Sequence, residues 1–205
     1  MNLSLKNDYT HNDDGTTTVL IKSKKYGTLE TALLTEDLIR IDKWASQPHI
    51  NPKGEWTISA TRDQWDTHGT ENFYAQIGML HPEGGWTKRN SRGYRYRRRT
   101  TKHLHRLVMD PGEKMMVDHI DGNGLNNLRE NLRVCTNSEN QRNRRKHKGL
   151  SKFKGVKPTP WNTWEATIQK THIGTFPTED QAARAYDEKA KELFGEYANL
   201  NFPDE

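Results

Sequence analysis

The chain has 205 residues with 32 Lys and Arg against 27 Asp and Glu, nine His and one Cys, and a net charge of +5. Hydrophobic residues make up only 31% and charged ones 29%, too little apolar material for a single core across the whole length, so small modules joined by surface segments are expected. A lone Cys excludes an intramolecular disulfide framework and a four-cysteine zinc site, and no run approaches the roughly 20 apolar residues of a membrane span.

The N-terminus lacks the apolar stretch of a secretory signal, so a soluble protein of a reducing compartment is expected. Charge is distributed unevenly. Residues 1–83 carry net −4, residues 84–170 net +14 and residues 171–205 net −5. Residues 84–109 hold nine Lys or Arg and residues 142–157 eight more, both without an acid. Charge gathered this way is the footprint of a polyanion ligand.

In chain order, the first 15 residues are polar and are expected to be loose. Residues 16–22, TTTVLIK, read as a β-branched strand closed by a turn at Tyr26-Gly27. Thr35 as an N-cap with Glu36 and Asp37 after it predicts a short helix over 36–44. Residues 48–100 are rich in Gly, Pro, Asn, Trp and Tyr. Short strands at 56–60 and 94–99 are expected there, as either a small sheet presenting Trp, Tyr and Arg or a mobile basic arm. Trp44, Trp56, Trp65 and Trp86 read as core or sheet packing, with 86–99 the alternative site of a duplex clamp.

From residue 102 the pattern sharpens. Leu104, Leu107 and Val108 share one face of a short element, and Asp110-Pro111-Gly112-Glu113 is a turn. A strand over 115–120, a loop of turn residues at Asp121-Gly122-Asn123-Gly124 and a returning strand over 132–135 follow. Thr136 and Glu139 have capping-box spacing, which predicts a helix to about residue 147. Strands at 153–157, 164–169 and 172–176 come next. Thr178 and Gln181 repeat the capping box before an alanine-rich helix that closes at Gly195.

The constellation that carries chemistry lies in the strand–loop–strand–helix segment. Asp118 and His119 are adjacent on a strand, Asn131 opens the returning strand, and Asn140 lies in the first turn of the helix with Asn143 near it on the same face. A helix folded over the hairpin brings Asp118 and Asn140 together. One carboxylate and one amide oxygen are hard donors that suit Mg²⁺ with most of its shell left to water and phosphate. An imidazole beside that ion takes a proton from water near neutral pH.

The run LHRLVMDPGEKMMVDHIDGNGLNNLRENLRVCTNSENQRN (104–143) resembles the HNH homing endonucleases of phages and introns, with their ββα-metal fold. The resemblance implies a metal-dependent DNA endonuclease of nicking or homing type. It makes Asp118 and Asn140 metal ligands, His119 the general base and Asn131 the residue that orients His119. The cofactor is then Mg²⁺ or another divalent cation such as Mn²⁺. His105 and Asn143 are auxiliary candidates, and the products carry 5′-phosphate and 3′-hydroxyl ends.

Residues 151–203 resemble an AP2/ERF DNA-binding domain through FKGVK, PWNTWEATI, IGTF, TEDQAARAYDEKA and YANLNFP. That resemblance implies a three-stranded antiparallel sheet laid in the major groove with one helix behind it. The DNA-facing positions are Lys154, Lys157, Trp161, Thr163, Gln169 and His172. Ala166, Ile168, Phe176, Ala183, Ala185 and Tyr186 form the core, with Trp164 as packing. Plant members favour Arg at several of the sheet positions, so loose base preference with retained phosphate contact is expected here. Residues 25–44 look like the region that precedes the nuclease in phage proteins of this architecture.

The expectation is thus an α+β protein in three parts: a β-rich region at 1–100 that includes a DNA-contacting arm, an HNH nuclease domain at 101–148 and an AP2/ERF-like domain at 151–203. Its partner is double-stranded DNA, with no membrane association. A monomer in the cytoplasm, that of the host if phage-encoded, is expected. The alternative is a non-catalytic DNA-binding regulator.

Overall fold

A computed structural model describes residues 3–62, 72–89, 91–142 and 150–203. Trp65, Asn143 and the stretch of helix anticipated beyond residue 142 lie outside the described residues. The fold is mixed α/β, built from several small antiparallel sheets and few helices. The chain divides into two compact units, one of residues 1–113 and 119–134, the other of 114–118 and 135–205. No helix among the described residues is long and apolar enough to cross a membrane.

In the first unit, β1 (Tyr9–His11), β2 (Thr16–Ser23) and β3 (Gly27–Leu34) form an antiparallel sheet in that order. The N-terminal segment is therefore ordered where looseness was expected: Tyr9 pairs with Val19, and Leu5 is buried beside its bridge partner Trp56. Helix α1 (Thr35–Ala45) buries Leu38, Ile41 and Ala45, three to four residues apart as one helical face requires. Thr35 is inside the helix and Leu34 is its N-cap, without a side-chain capping bond.

A second sheet joins β4 (Ile58–Arg62), β5 (Phe73–Leu80) and β6 (Arg99–His103). In β5, Phe73, Ala75, Ile77 and Met79 are buried and alternate with half-buried neighbours, the period of a strand with one face on a core. The strand anticipated at 94–99 is displaced: only Arg99 onward joins the sheet. Helix α2 (Leu104–Met109) follows directly and buries Leu104, Leu107 and Val108 as anticipated. It stops at Asp110, whose left-handed φ of 45° ends the helix. Strands β7 (Met116–His119) and β8 (Leu132–Cys135) form a two-stranded sheet.

In the second unit, α3 (Asn137–Arg142) opens with the anticipated capping box. The Thr136 amide donates to Glu139 Oε2 (2.7 Å), and the Glu139 amide donates to Thr136 Oγ1 (3.3 Å). Strands β9 (Val156–Pro158), β10 (Trp164–Ile168) and β11 (Thr171–Phe176) form an antiparallel sheet with β10 central. The β10–β11 turn is Gln169-Lys170, both at positive φ (47° and 70°), the geometry of a two-residue primed turn that matches strand twist. Helix α4 (Glu179–Phe194) is capped by Thr178, which accepts from the Gln181 amide. It buries Ala182, Ala183, Tyr186 and Ala190 against Val156, Ala166 and Ile168. Small alanines let helix and sheet approach closely. Gly155 is required there: at φ +74° it lies against the Tyr186 ring and the Thr167 carbonyl, and a Cβ would overlap both.

Candidate functional site

The site begins with a loop that the sequence marks only as turn residues. Between β7 and β8, Asp121 Oδ1 accepts from the Asn123 amide (2.7 Å), and Asn123 Oδ1 accepts from the Leu125 amide (3.1 Å). Asn127 reads as a turn former but is fully buried. Its Nδ2 donates to Thr31 Oγ1 (2.9 Å) and its amide donates to the Ala32 carbonyl (2.9 Å), so the loop is fastened to β3. Gly124 passes so close to the Phe73 carbonyl and the Tyr74 ring that a Cβ would overlap them. The bonds of Asn127 to β3 and the close approach at Gly124 together hold the loop to the rest of the unit.

Asn131 belongs to the same construction. Its Oδ1 accepts from the Asp121 amide (3.0 Å), and its Nδ2 donates to Asp121 Oδ1 (2.9 Å) and to the Asn126 carbonyl (3.0 Å). Its carbonyl accepts from the Ile120 amide (2.9 Å), directly after His119, and the His119 carbonyl accepts from the Gly122 amide (2.9 Å). Asn131 thus holds the turn that fixes the backbone at His119. The preceding Arg129 clasps Asp37 of α1 through two bonds of 2.7 and 2.6 Å. Arg40 donates to the same carboxylate (2.9 Å) and to the carbonyls of Leu107 and Val108 (2.8 and 3.0 Å) at the end of α2. Asp37 is 2% exposed, and its hydrogen bond raises the Arg129 guanidinium above its ordinary value.

His119 is buried, and the rings around it come from β5, β6 and α2. The His105 ring meets it edge-on at 5.0 Å between centroids and 84° between planes, and the Tyr74 ring lies at 5.8 Å. His105 in turn stacks on His103 at 5.2 Å with the planes 5° apart. Burial, then the nearby His119, His103 and Arg106, pushes His105 down to about 2, and burial with Arg106 lowers His103 as well. His105 therefore stays neutral at any working pH and adds no charge beside His119, while burial favours the neutral form of His103. His103 and Tyr74 had no signal in the sequence beyond the His-x-His spacing of 103 and 105.

Asp118 is buried on β7 and Asn140 is half-buried in α3, its amide donating to the Thr136 carbonyl (3.0 Å). Among the described residues no three His, Cys, Asp or Glu side chains gather in a group that fits a metal ion. The expected ligands Asp118 and Asn140 carry a carboxylate and an amide oxygen, hard donor types of the kind that divalent cations accept.

In the C-terminal module, Lys157, Trp161, Gln169 and His172 are exposed, Trp161 at 81%, and Thr163 is half-buried with its hydroxyl 2.6 Å from that of Thr159. Lys154 is turned inward. Its Nζ donates to the Arg142 carbonyl (2.6 Å), and burial, opposed by Asp187, pushes it down to about 8. Glu165, which is not among the expected DNA-facing residues, stands between Lys157 (3.2 Å) and His172 (3.3 Å), so an acid occupies the middle of this face.

Comparison with known proteins finds similarity of two kinds. Residues 102–142 match the model of the HNH endonuclease family. The chain is 45% identical over 89 residues to an uncharacterized HNH endonuclease, L560, of Acanthamoeba polyphaga mimivirus, covering 42% of this chain and 46% of that protein. It is 46% identical over 57 residues to dehydration-responsive element-binding protein 2A of Arabidopsis thaliana (25% of this chain, 17% of that protein). It is 32% identical over 99 residues to ethylene-responsive transcription factor ERF069 of the same plant (44% and 61%). The chain spans less than two thirds of each of these relatives. It therefore carries a segment that matches the HNH endonuclease family model together with similarity to AP2/ERF-type proteins.

Proposed function

We propose that the protein is a divalent-metal-dependent DNA endonuclease of nicking or homing type, guided by its AP2/ERF-like module at 151–203. The observation that carries this reading is the HNH match over 102–142, which includes Asp118, His119, Asn131 and Asn140, with His119 buried edge-on against the ring of His105. His119 accepts the proton of the attacking water. Asn131 positions it by pinning the turn at 119–122. Asp118 and Asn140 are the residues that would hold Mg²⁺ or Mn²⁺, which when bound supplies charge stabilisation to a phosphodiester in attack.

Lys157, Trp161, Thr163, Gln169 and His172 present the sheet face to duplex DNA, and Lys154 holds the last carbonyl of α3, that of Arg142. We assign 1–100 as a β-rich DNA-contacting region and 101–148 as a ββα-metal nuclease. A monomer acting in the cytoplasm, that of the host if phage-encoded, completes the reading. One such site cuts one strand per encounter. The second reading, a non-catalytic DNA-binding regulator, is favoured by the transcription factor among the relatives.

Supercoiled plasmid with Mg²⁺ separates the two. The wild type converts it to open circle, and His119→Ala slows this by about 100-fold or more while still retarding the plasmid on a gel. A wild type that binds tightly yet never nicks overturns the nuclease in favour of the regulator.

A further inference from the structure

The segment between β5 and β6 falls outside the HNH match and outside the AP2/ERF-like module. It folds as a ribbon. The His81 amide donates to the Arg98 carbonyl (2.9 Å), the Arg98 amide to the Gly85 carbonyl (3.0 Å) and the Thr87 amide to the Tyr96 carbonyl (2.8 Å), with Trp86 bridged to Arg97. Its side chains are of two kinds. Trp86, Tyr94 and Tyr96 are 54%, 63% and 60% exposed, three of the eight large apolar side chains exposed among the described residues. Lys88, Arg89, Arg92, Arg95 and Arg97 are exposed cations, and the Arg97 guanidinium lies over the Trp86 ring at 5.4 Å. The acid in this stretch, Glu83, stands 3.9 Å from Arg98.

Exposed rings in such a cluster are costly in water and mark a surface that something covers. A cation stacked on an aromatic face, beside further Arg and Lys, offers two things at once: charge for phosphate and a flat surface for a flat ligand. Paired bases in a duplex already stack face to face and offer a protein only their edges and the phosphates, so a duplex would need the cations but would give the rings no base face to stack on. Unpaired bases need both. We infer that the ribbon at 81–98 is a sequence-independent site for an unpaired nucleic-acid strand, its aromatics stacking on bases and its cations tracking the backbone.

This rests on the reading of the chain as a DNA-acting protein, and the test keeps the two apart. The full chain is titrated in EDTA, so that nothing is cut, into a fluorescent oligothymidylate of about 20 nucleotides, a duplex of equal length and anionic lipid vesicles. The variants are the triple Trp86→Ala, Tyr94→Ala, Tyr96→Ala and, should its melt differ from wild type, the double Tyr94→Ala, Tyr96→Ala. The expected result is an affinity for oligothymidylate lower by about ten-fold or more, with duplex affinity changed by less than about three-fold. Equal losses on both DNAs, no loss on either, or a loss confined to vesicles overturns the inference. A wild type that binds duplex but not oligothymidylate overturns it alone. A wild type that binds neither overturns the proposed function as well.

Discussion

The two units use buried polarity differently. The first buries Thr17, Thr31, Asp37, Asn51, His119, Asn127 and Asn131, and the hydrogen bonds of Thr31, Asp37, Asn127 and Asn131 converge on the stretch 125–131 beside His119. The C-terminal module buries Ser151 and Asp187 and otherwise fills its core with apolar side chains, among them Val156, Ala166, Ile168, Ala182, Ala183 and Tyr186. A hydrogen bond fixes direction as well as distance, whereas apolar packing fixes only distance. Under the proposed function, chemistry on a phosphodiester would need the first kind of control at His119 and the loop behind it, and a groove-reading face would need only a rigid plate, which close packing between helix and sheet supplies.

The sharpest way to break the plate is Gly155→Ala. It places a Cβ where the Tyr186 ring and the Thr167 carbonyl stand and forces a positive φ on an L residue, for a cost of about 3 kcal/mol. Chemical denaturation will show the loss, and duplex affinity will fall with it. Next comes the clasp behind the loop. Asp37→Ala removes the acceptor of Arg129 and Arg40, whose side chains are themselves partly solvated, for about 2 kcal/mol. Its diagnostic is a fall in nicking beyond what the folded fraction explains, with binding by the C-terminal module unchanged.

The smallest effect is on pH. The folded pKa of His105, about 2, lies below the ordinary 6.5, so between these values the unfolded chain binds the extra proton. The stability contributed by neutral His105 is complete above pH 6.5 and is lost as pH falls below it, at about 1 kcal/mol per pH unit. The melting temperature of the wild type therefore drops from pH 7 to pH 5, and His105→Phe, which keeps a ring on His103, shows a shallower drop. An unchanged slope would mean that His105 is not held neutral.

Much of this was legible in the residues. The β-branched run of β2, the apolar triad of α2 and the capping boxes at Thr136 and Thr178 are local signals, and each element stands where its signal lies. Strand β3, GTLETALL, carries Gly, Glu and Ala, which favour no strand, and its sheet comes from pairing with β2. The period-two pattern of β5 was present but lay hidden among Gly- and Pro-rich neighbours. The alternating Tyr and Arg residues of 94–97 look like a strand, but the ribbon they form buries neither face. At the site, Asp118-His119 and Asn140 could be chosen by type and spacing. The supports could not: Asp37 and Arg129 are 92 residues apart, Thr31 and Asn127 are 96 apart, and no local rule links them.

The central claim is that Asp118 and Asn140 share a divalent cation while His119 serves as a base beside it. Titration of Mn²⁺ into the protein bound to an uncleavable phosphorothioate duplex, followed by electron paramagnetic resonance, tests it directly. The account predicts one bound ion per chain in the wild type and in His119→Ala, and its loss in both Asp118→Ala and Asn140→Ala. Unchanged Mn²⁺ uptake by the two ligand variants, or its loss in His119→Ala alone, would contradict it.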